Sequence, residues 1–294
     1  MPVEKKYSWF VCGIFLAAAI IICTIYFSRD TYPPTDKMLQ VRYSLTIQNT
    51  NNIPIENVSL QVQRPLEQTA FQKCRNVNAN YKFQEIGKGI DNRFLLFKWD
   101  LFPPFTSRII NIQSDLDICF KANKTVAPDI ENYLRTVPLI ESDHPEIKGV
   151  ANQLRGDTDY ETARKIYDWV GQKLIYIGYI KQNRGALYAL RHAKGDCTEF
   201  ACLFAALCRA NGVPARVIGG FVCPNNAVLD LSDYHNWAEF FADGRWHLAD
   251  PQRRQFMTAA DTYIAFDNGH ALGSGSFAVV SGAVENGLKI RLSK

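Results

Sequence analysis

Much is scarce in this sequence, and each scarcity narrows the reading. There is no internal repeat and no low-complexity tract, so a repeat array is set aside. With 47% hydrophobic and 21% charged residues, the composition is that of a globular chain, not a disordered one. No sign of charge dominates: 33 Lys and Arg face 29 Asp and Glu, for a net charge of +4. The cations are scattered, and no basic stripe carries interleaved aromatics, so no nucleic acid is expected as a partner. Histidine is rare, at five in 294 residues, and His144, His192 and His270 have no ligand-like spacing. Neither a metal nor another cofactor is expected.

Long hydrophobic runs are also few. One stands out, "YSWFVCGIFLAAAIIICTIYF", residues 7–27, uncharged throughout and long enough to span a bilayer as a helix. It ends in "IYFSRD", which offers no small-residue cleavage site, so residues 1–30 are expected to be a transmembrane signal anchor. Cys12 and Cys23 lie inside it and lack the small residues that precede a lipoprotein cysteine. Lys5 and Lys6 stand before the span and Arg29, Lys37 and Arg42 after it, a weak asymmetry. An N-terminal anchor serves to export the chain behind it, which places the body outside the cytoplasm. In that compartment Cys74 and Cys119 are candidates for a bridge.

From Met38 the pattern alternates. Val41, Tyr43, Leu45 and Ile47 share one strand face, "NTNN" breaks the run, and Val58, Leu60 and Val62 alternate again. "RFLLFKWDL" and "SRIINIQSDLDI" come next, separated by "FPPF". Residues 38–120 therefore read as a small β-sandwich, with no clustered nucleophile, base and acid on its polar faces. A connector, 121–150, leads to a second domain, 151–294. It opens with a helix in which Ala163, Ile166, Tyr167 and Val170 recur at helical spacing.

Chemistry concentrates in "KGDCTEFACLFAALCRANGVPARVIGGF". "DCTE" reads as a capping box of Asp196 and Glu199, and Phe200, Leu203, Phe204 and Leu207 form a buried stripe. Cys197 then falls in the first helical turn, where free amides and the positive dipole end favour thiolate and could hold an oxyanion. Cys202, Cys208 and Cys223 read as core residues, and Cys197 taken alone could be another.

Downstream, "HNWAEFFA" and "RWHLAD" are joined by Asp243–Gly244. A two-residue turn there pairs Ala242 with Arg245 and puts His235, Trp237 and Glu239 on one face with Trp246, Leu248 and Asp250. His235 and Asp250 become diagonal neighbours, roughly 7–8 Å apart at Cα. His247 falls on the opposite face. A histidine held by an acid and offered to a helix-terminal thiol is what covalent thiol chemistry requires. A structural His–Asp pair would look the same in sequence.

"GDCTEFACLFAALCRANGVPARVIGG", "HNWAEFFADGRW" and "LADP", three separated blocks over about 140–252, resemble the core of the transglutaminase-like superfamily. The resemblance implies an α+β, papain-like core with a Cys–His–Asp triad, falling here on Cys197, His235 and Asp250. Relatives include cross-linking enzymes, cysteine proteases, peptide N-glycanases and domains without activity. The chain departs from papain-type relatives in lacking a glutamine shortly before the nucleophile. Tyr176, Tyr179, Asn183 and Tyr188 remain as candidates for a second oxyanion donor. No calcium-loop pattern is present.

The expectation is thus a bacterial inner-membrane protein, its body facing the periplasm or cell exterior, acting on amide bonds of protein or peptide substrates through a thioester. Hydrolysis is slightly favoured over amine transfer, because no acceptor-amine site is recognisable. A silent binding module and an envelope adaptor built on the sandwich are the alternatives.

Overall fold

The computed structural model describes residues 35–87, 93–122, 130–179, 181–269, 277–281 and 287–293. The expected anchor at 7–27 lies outside them. Among the described residues no helix is long and apolar enough to cross a membrane.

Six strands come first: β1 (Lys37–Asn49), β2 (Ile55–Gln63), β3 (Gln72–Ala79), β4 (Gln84–Ile86), β5 (Phe94–Phe102) and β6 (Ser107–Ile118). Alternation decides their faces, as expected. Val41, Tyr43, Leu45 and Ile47 point inward from β1, and Val58, Leu60 and Val62 from β2. One sheet carries β1, β6 and β3, the other β2, β5 and β4, and their inner faces share a core.

The second part begins earlier than the connector at 121–150 implied. Helix α1 (Pro145–Gln153) starts there, with the His144 side chain accepting from the Glu146 N–H and Ile147 and Ala151 buried. Helix α2 (Asp159–Lys173) is next, capped by Thr158. Then come β7 (Ile175–Tyr176), α3 (Gly185–His192), β8 (Lys194–Gly195) and α4 (Cys197–Ala210). Helix α4 does not merely present a stripe. Every residue from Thr198 to Arg209 is buried, so it runs through the middle of the core.

Beyond α4 lie strands β9 (Ala215–Val222), β10 (Ala227–Val228), β11 (His235–Ala242), β12 (Arg245–Asp250), β13 (Gln255–Phe256) and β14 (Tyr263–Asp267). Five of them form a sheet ordered β13-β12-β11-β9-β14. One face covers α4 through Ala238, Phe240 and Ala242.

The two parts are not beads on a string. Phe221, Ile264 and Phe266 from the second sheet lie in the sandwich core, and Leu66 and Phe71 of the first part pack with Trp237, Trp246 and Tyr263. Gln72 clamps β14, donating to the Ala265 carbonyl and accepting from its N–H. The final strands, β15 (Ala278–Ser281) and β16 (Leu288–Ser293), pair with β2 and β1, and β10 also pairs with β1. The expected 151–294 boundary assigns these strands to the second domain, yet they complete the sandwich sheets. Residues 35–294 are one compact unit.

The bridge for which Cys74 and Cys119 were candidates is not formed; neither buried thiol is in a disulfide. Register is the reason. Cys74 lies opposite Leu116, whereas the Cys119 N–H bonds to the carbonyl of Phe71, just before β3 and three residues from Cys74.

Candidate active site

Three local structures deliver the three residues singled out in the sequence. The first is the start of α4. Asp196 is the N-cap and accepts from the Thr198 N–H at 2.8 Å, while Glu199 reaches back to the Asp196 N–H at 3.0 Å, completing the capping box. Glu199 also accepts from the Arg184 N–H at 2.8 Å, tying the approach to α3 onto the same helix end. Gly195 permits this closeness: a Cβ there would lie 2.3 Å from that of Glu199.

The second is the β11–β12 hairpin. Ala242 pairs with Arg245 and Phe240 with His247, the register expected from the sequence, with Asp243 and Gly244 both at positive φ in the turn. His235 and Asp250 therefore share a face, and His235 Nε2 meets Asp250 Oδ2 at 2.6 Å, both groups buried. His247 lies on the face of Phe240, its Nε2 3.1 Å from the Ala242 carbonyl.

The third element links the other two. The main-chain N–H of Asn236 donates to the Cys197 sulfur, and Asn236 Nδ2 donates to Thr198 Oγ1 at 2.9 Å. The half-buried thiol thus sits at the start of β11, one residue from His235.

Two expectations about this thiol need correction. Burial first, and the adjacent Asp196 carboxylate second, push the Cys197 thiol up to about 12. The Asn236 N–H and Thr198 hydroxyl oppose this but do not overcome it, so the resting group is a thiol and not the thiolate that a helix start favours. The cap also consumes donors expected for an oxyanion. The Thr198 and Glu199 amides go to Asp196, leaving the Cys197 N–H as the first-turn amide outside the cap.

Of the four candidate second donors, Tyr176 is beside the thiol: it pairs with Gly195, and after burial it is Cys197 that most raises its phenol. Tyr179 is 84% exposed, and the Tyr188 hydroxyl accepts from Arg184.

Tyr263 is a member of the site that the sequence motifs do not indicate. Its hydroxyl donates to Asp250 Oδ2 at 2.8 Å, and the Arg253 N–H donates to Asp250 Oδ1 at 3.0 Å. Burial, then Asp250, raises the phenol well above its ordinary value, so it stays a donor. Only "ADTYIAFD", with its short continuous apolar run after the hairpin, could have signalled a neighbouring buried strand. Trp237 and Trp246 are buried core residues, and Glu239 is committed to Arg216 at 2.7 Å.

The family model of the transglutaminase-like superfamily matches residues 148–251. No curated protein sequence matches the chain. Among solved structures, a candidate cysteine protease from Cytophaga hutchinsonii has a TM-score of 0.58 at 17% identity, covering 88% of this chain and 93% of that one. Its likeness shows the fold and extends it across the sandwich. The periplasmic domain of TgpA from Pseudomonas aeruginosa aligns at 15% identity over 71% of this chain and 87% of that one, with a TM-score of 0.37. The chain is an α+β protein whose residues 148–251 are a domain of the transglutaminase-like superfamily.

Proposed function

We propose that the protein is a thiol-dependent enzyme acting on amide bonds of protein or peptide substrates, with Cys197 as nucleophile, His235 as base and Asp250 as its orienting acid. The observation that carries this is the buried His235–Asp250 pair at 2.6 Å, with the Cys197 sulfur held by the N–H of the next residue after His235.

With Nε2 committed to Asp250, Nδ1 is the nitrogen that takes the thiol proton. Because the resting thiol is neutral, that transfer accompanies attack on the amide carbonyl. The Cys197 N–H and the Tyr176 hydroxyl hold the developing oxyanion. His235 returns the proton to the departing amine, leaving a thioester on Cys197. Water, deprotonated by His235, then releases the acid; an amine in its place gives transfer. Hydrolysis remains the favoured outcome. Asp250, braced by Tyr263 and the Arg253 N–H, offsets the imidazolium charge.

Residues 7–27 anchor the chain in a bacterial inner membrane with the described body on the periplasmic or outer side. This rests on the uncharged run alone.

The test is capture of the thioester from cell-envelope protein by the parent chain and by His235→Ala, with a fluorescent primary amine added. Thioester and hydrolysis from the parent alone support the reading, and amine incorporation would turn it to transfer. The raised thiol favours one second reading, a silent binding module, which predicts no thioester from either chain.

A further inference from the structure

Strand β7 and the three residues after it carry a run of exposed apolar side chains, beside Gly195, which stands two residues before Cys197. Ile175, Tyr176, Ile177 and Tyr179 are 69, 51, 46 and 84% exposed. Surface residues of this kind are ordinary when scattered but informative when contiguous. The backbone is open as well. Among the described residues β7 pairs with β8 alone, through the Ile175 N–H to the Ala193 carbonyl and the Ile177 N–H to the Gly195 carbonyl. Tyr176, between them, turns its N–H and C=O to the other edge, where no described strand pairs with it. An unprotected apolar edge invites another strand.

Charge says what kind of strand. From Gly171 to Gly195 there is no Asp or Glu. Arg191 is paired with Glu146, but Lys173, Lys181, Arg184 and Lys194 are exposed and have no carboxylate at ion-pair distance among the described residues. Lys194 lies directly across from Ile175. The edge is thus apolar along its length and positive at its flanks, and it runs to Gly195, two residues before the thiol.

We propose that Ile175–Tyr179 is the docking ledge for the substrate of Cys197, and that this substrate is an extended polypeptide carrying acidic and bulky apolar residues, added as a strand to the open edge of β7. The assignment rests on the reading of Cys197 as the nucleophile. Main-chain pairing at Tyr176 sets the strand beside the thiol, alternate side chains cover the exposed isoleucines and tyrosines, and acidic residues meet the four cations. An anionic membrane surface would meet the same cations and aromatics, but it has no backbone to pair with the Tyr176 edge.

The test uses the full chain carrying Cys197→Ala, which binds without turnover. Fluorescence anisotropy follows a labelled peptide of alternating Glu and Leu or Phe, its Lys-for-Glu counterpart, and a copy N-methylated at every second amide. The acidic peptide should bind at least tenfold more tightly than either control. Lys173→Glu with Lys194→Glu, both at exposed positions, should weaken it at least fivefold without lowering the melting temperature. Equal binding of acidic and basic peptides, indifference to N-methylation, or binding of phosphatidylglycerol vesicles with none of the peptide would each overturn the ledge. Selective binding in a chain whose parent form makes no thioester would count against the enzymatic reading and leave the ledge standing. Amide turnover with no preference for acidic peptides would do the reverse.

Discussion

The phenol of Tyr263 and the imidazole of His235 converge on one oxygen, Asp250 Oδ2, at 2.8 and 2.6 Å. The carboxylate therefore cannot turn without breaking one of the two bonds, and β14 becomes part of what aims the imidazole. Removing the phenol leaves more negative charge facing the imidazole, which stabilises the imidazolium. Tyr263→Phe should lower kcat about tenfold, in keeping with one charge-assisted hydrogen bond, with KM unchanged. It should also move the acid limb of the pH profile upward. An unchanged profile in a folded variant would make Tyr263 a packing residue only.

Asp250→Asn is the sharper change. The amide keeps the volume, yet it can favour the wrong imidazole tautomer and cannot offset the imidazolium charge. Turnover should fall by about 10³–10⁴-fold, with the fold retained by circular dichroism.

His247→Ala should leave chemistry alone. Its ring packs on Phe240 at 5.2 Å, on the face away from His235, and its loss should cost about 1–2 kcal/mol. Burial, the largest influence, lowers the His247 basicity, so the unfolded chain binds a proton that the folded chain resists. The contribution is present above the ordinary histidine range and is lost as pH falls through it. Melting curves from pH 8 to 5 should therefore converge between parent and variant.

For Cys197 the sign is opposite. Its thiol is pushed up to about 12, so the folded chain keeps a proton that the unfolded chain releases near pH 9. That contribution is full below pH 9 and is lost as pH rises toward 12. Iodoacetamide labelling in His235→Ala should be slow at pH 7 and climb only in the strongly alkaline range. Fast labelling at neutral pH would mean that the helix start outweighs burial and Asp196.

Cys74 and Cys119 should behave as separate buried thiols. Dithiothreitol should not shift the melting temperature, and each serine substitution should lower it independently of the other. A reductant-sensitive melting temperature would contradict the register of β3 on β6.

The placement of Cys197, His235 and Asp250 was legible because local rules governed it. A cap sets the first turn, and a two-residue turn sets a register, so Cys197, His235 and Asp250 could be placed from adjacent residues. Alternation likewise gave the inward faces of β1 and β2. What escaped depended on contacts between distant segments. Tyr263 reaches Asp250 only because β14 pairs on the far side of β9, and Gly220 lets it come close, since a Cβ there would lie 2.0 Å from the Ile264 carbonyl. The thiol escaped for a different reason: the dipole at a helix start is visible in sequence, whereas its burial beside Asp196 is not.

β16 runs antiparallel to β1 from Leu288–Asn49 to Ser293–Ser44, so the first and last described strands are neighbours. A ribosome delivers β1 long before β16. Until then, that length of β1 is an unclosed apolar margin, and the sandwich core that also holds Phe221, Ile264 and Phe266 stays incomplete. The sheet that carries His235 and Asp250 has all its strands once β14 is made, but the sandwich on which it packs must wait for β15 and β16. Such pairing between remote segments slows folding. Nascent chains stopped before Leu288 should consequently be captured by holdase chaperones and digested readily by protease, while chains released a few residues later resist both.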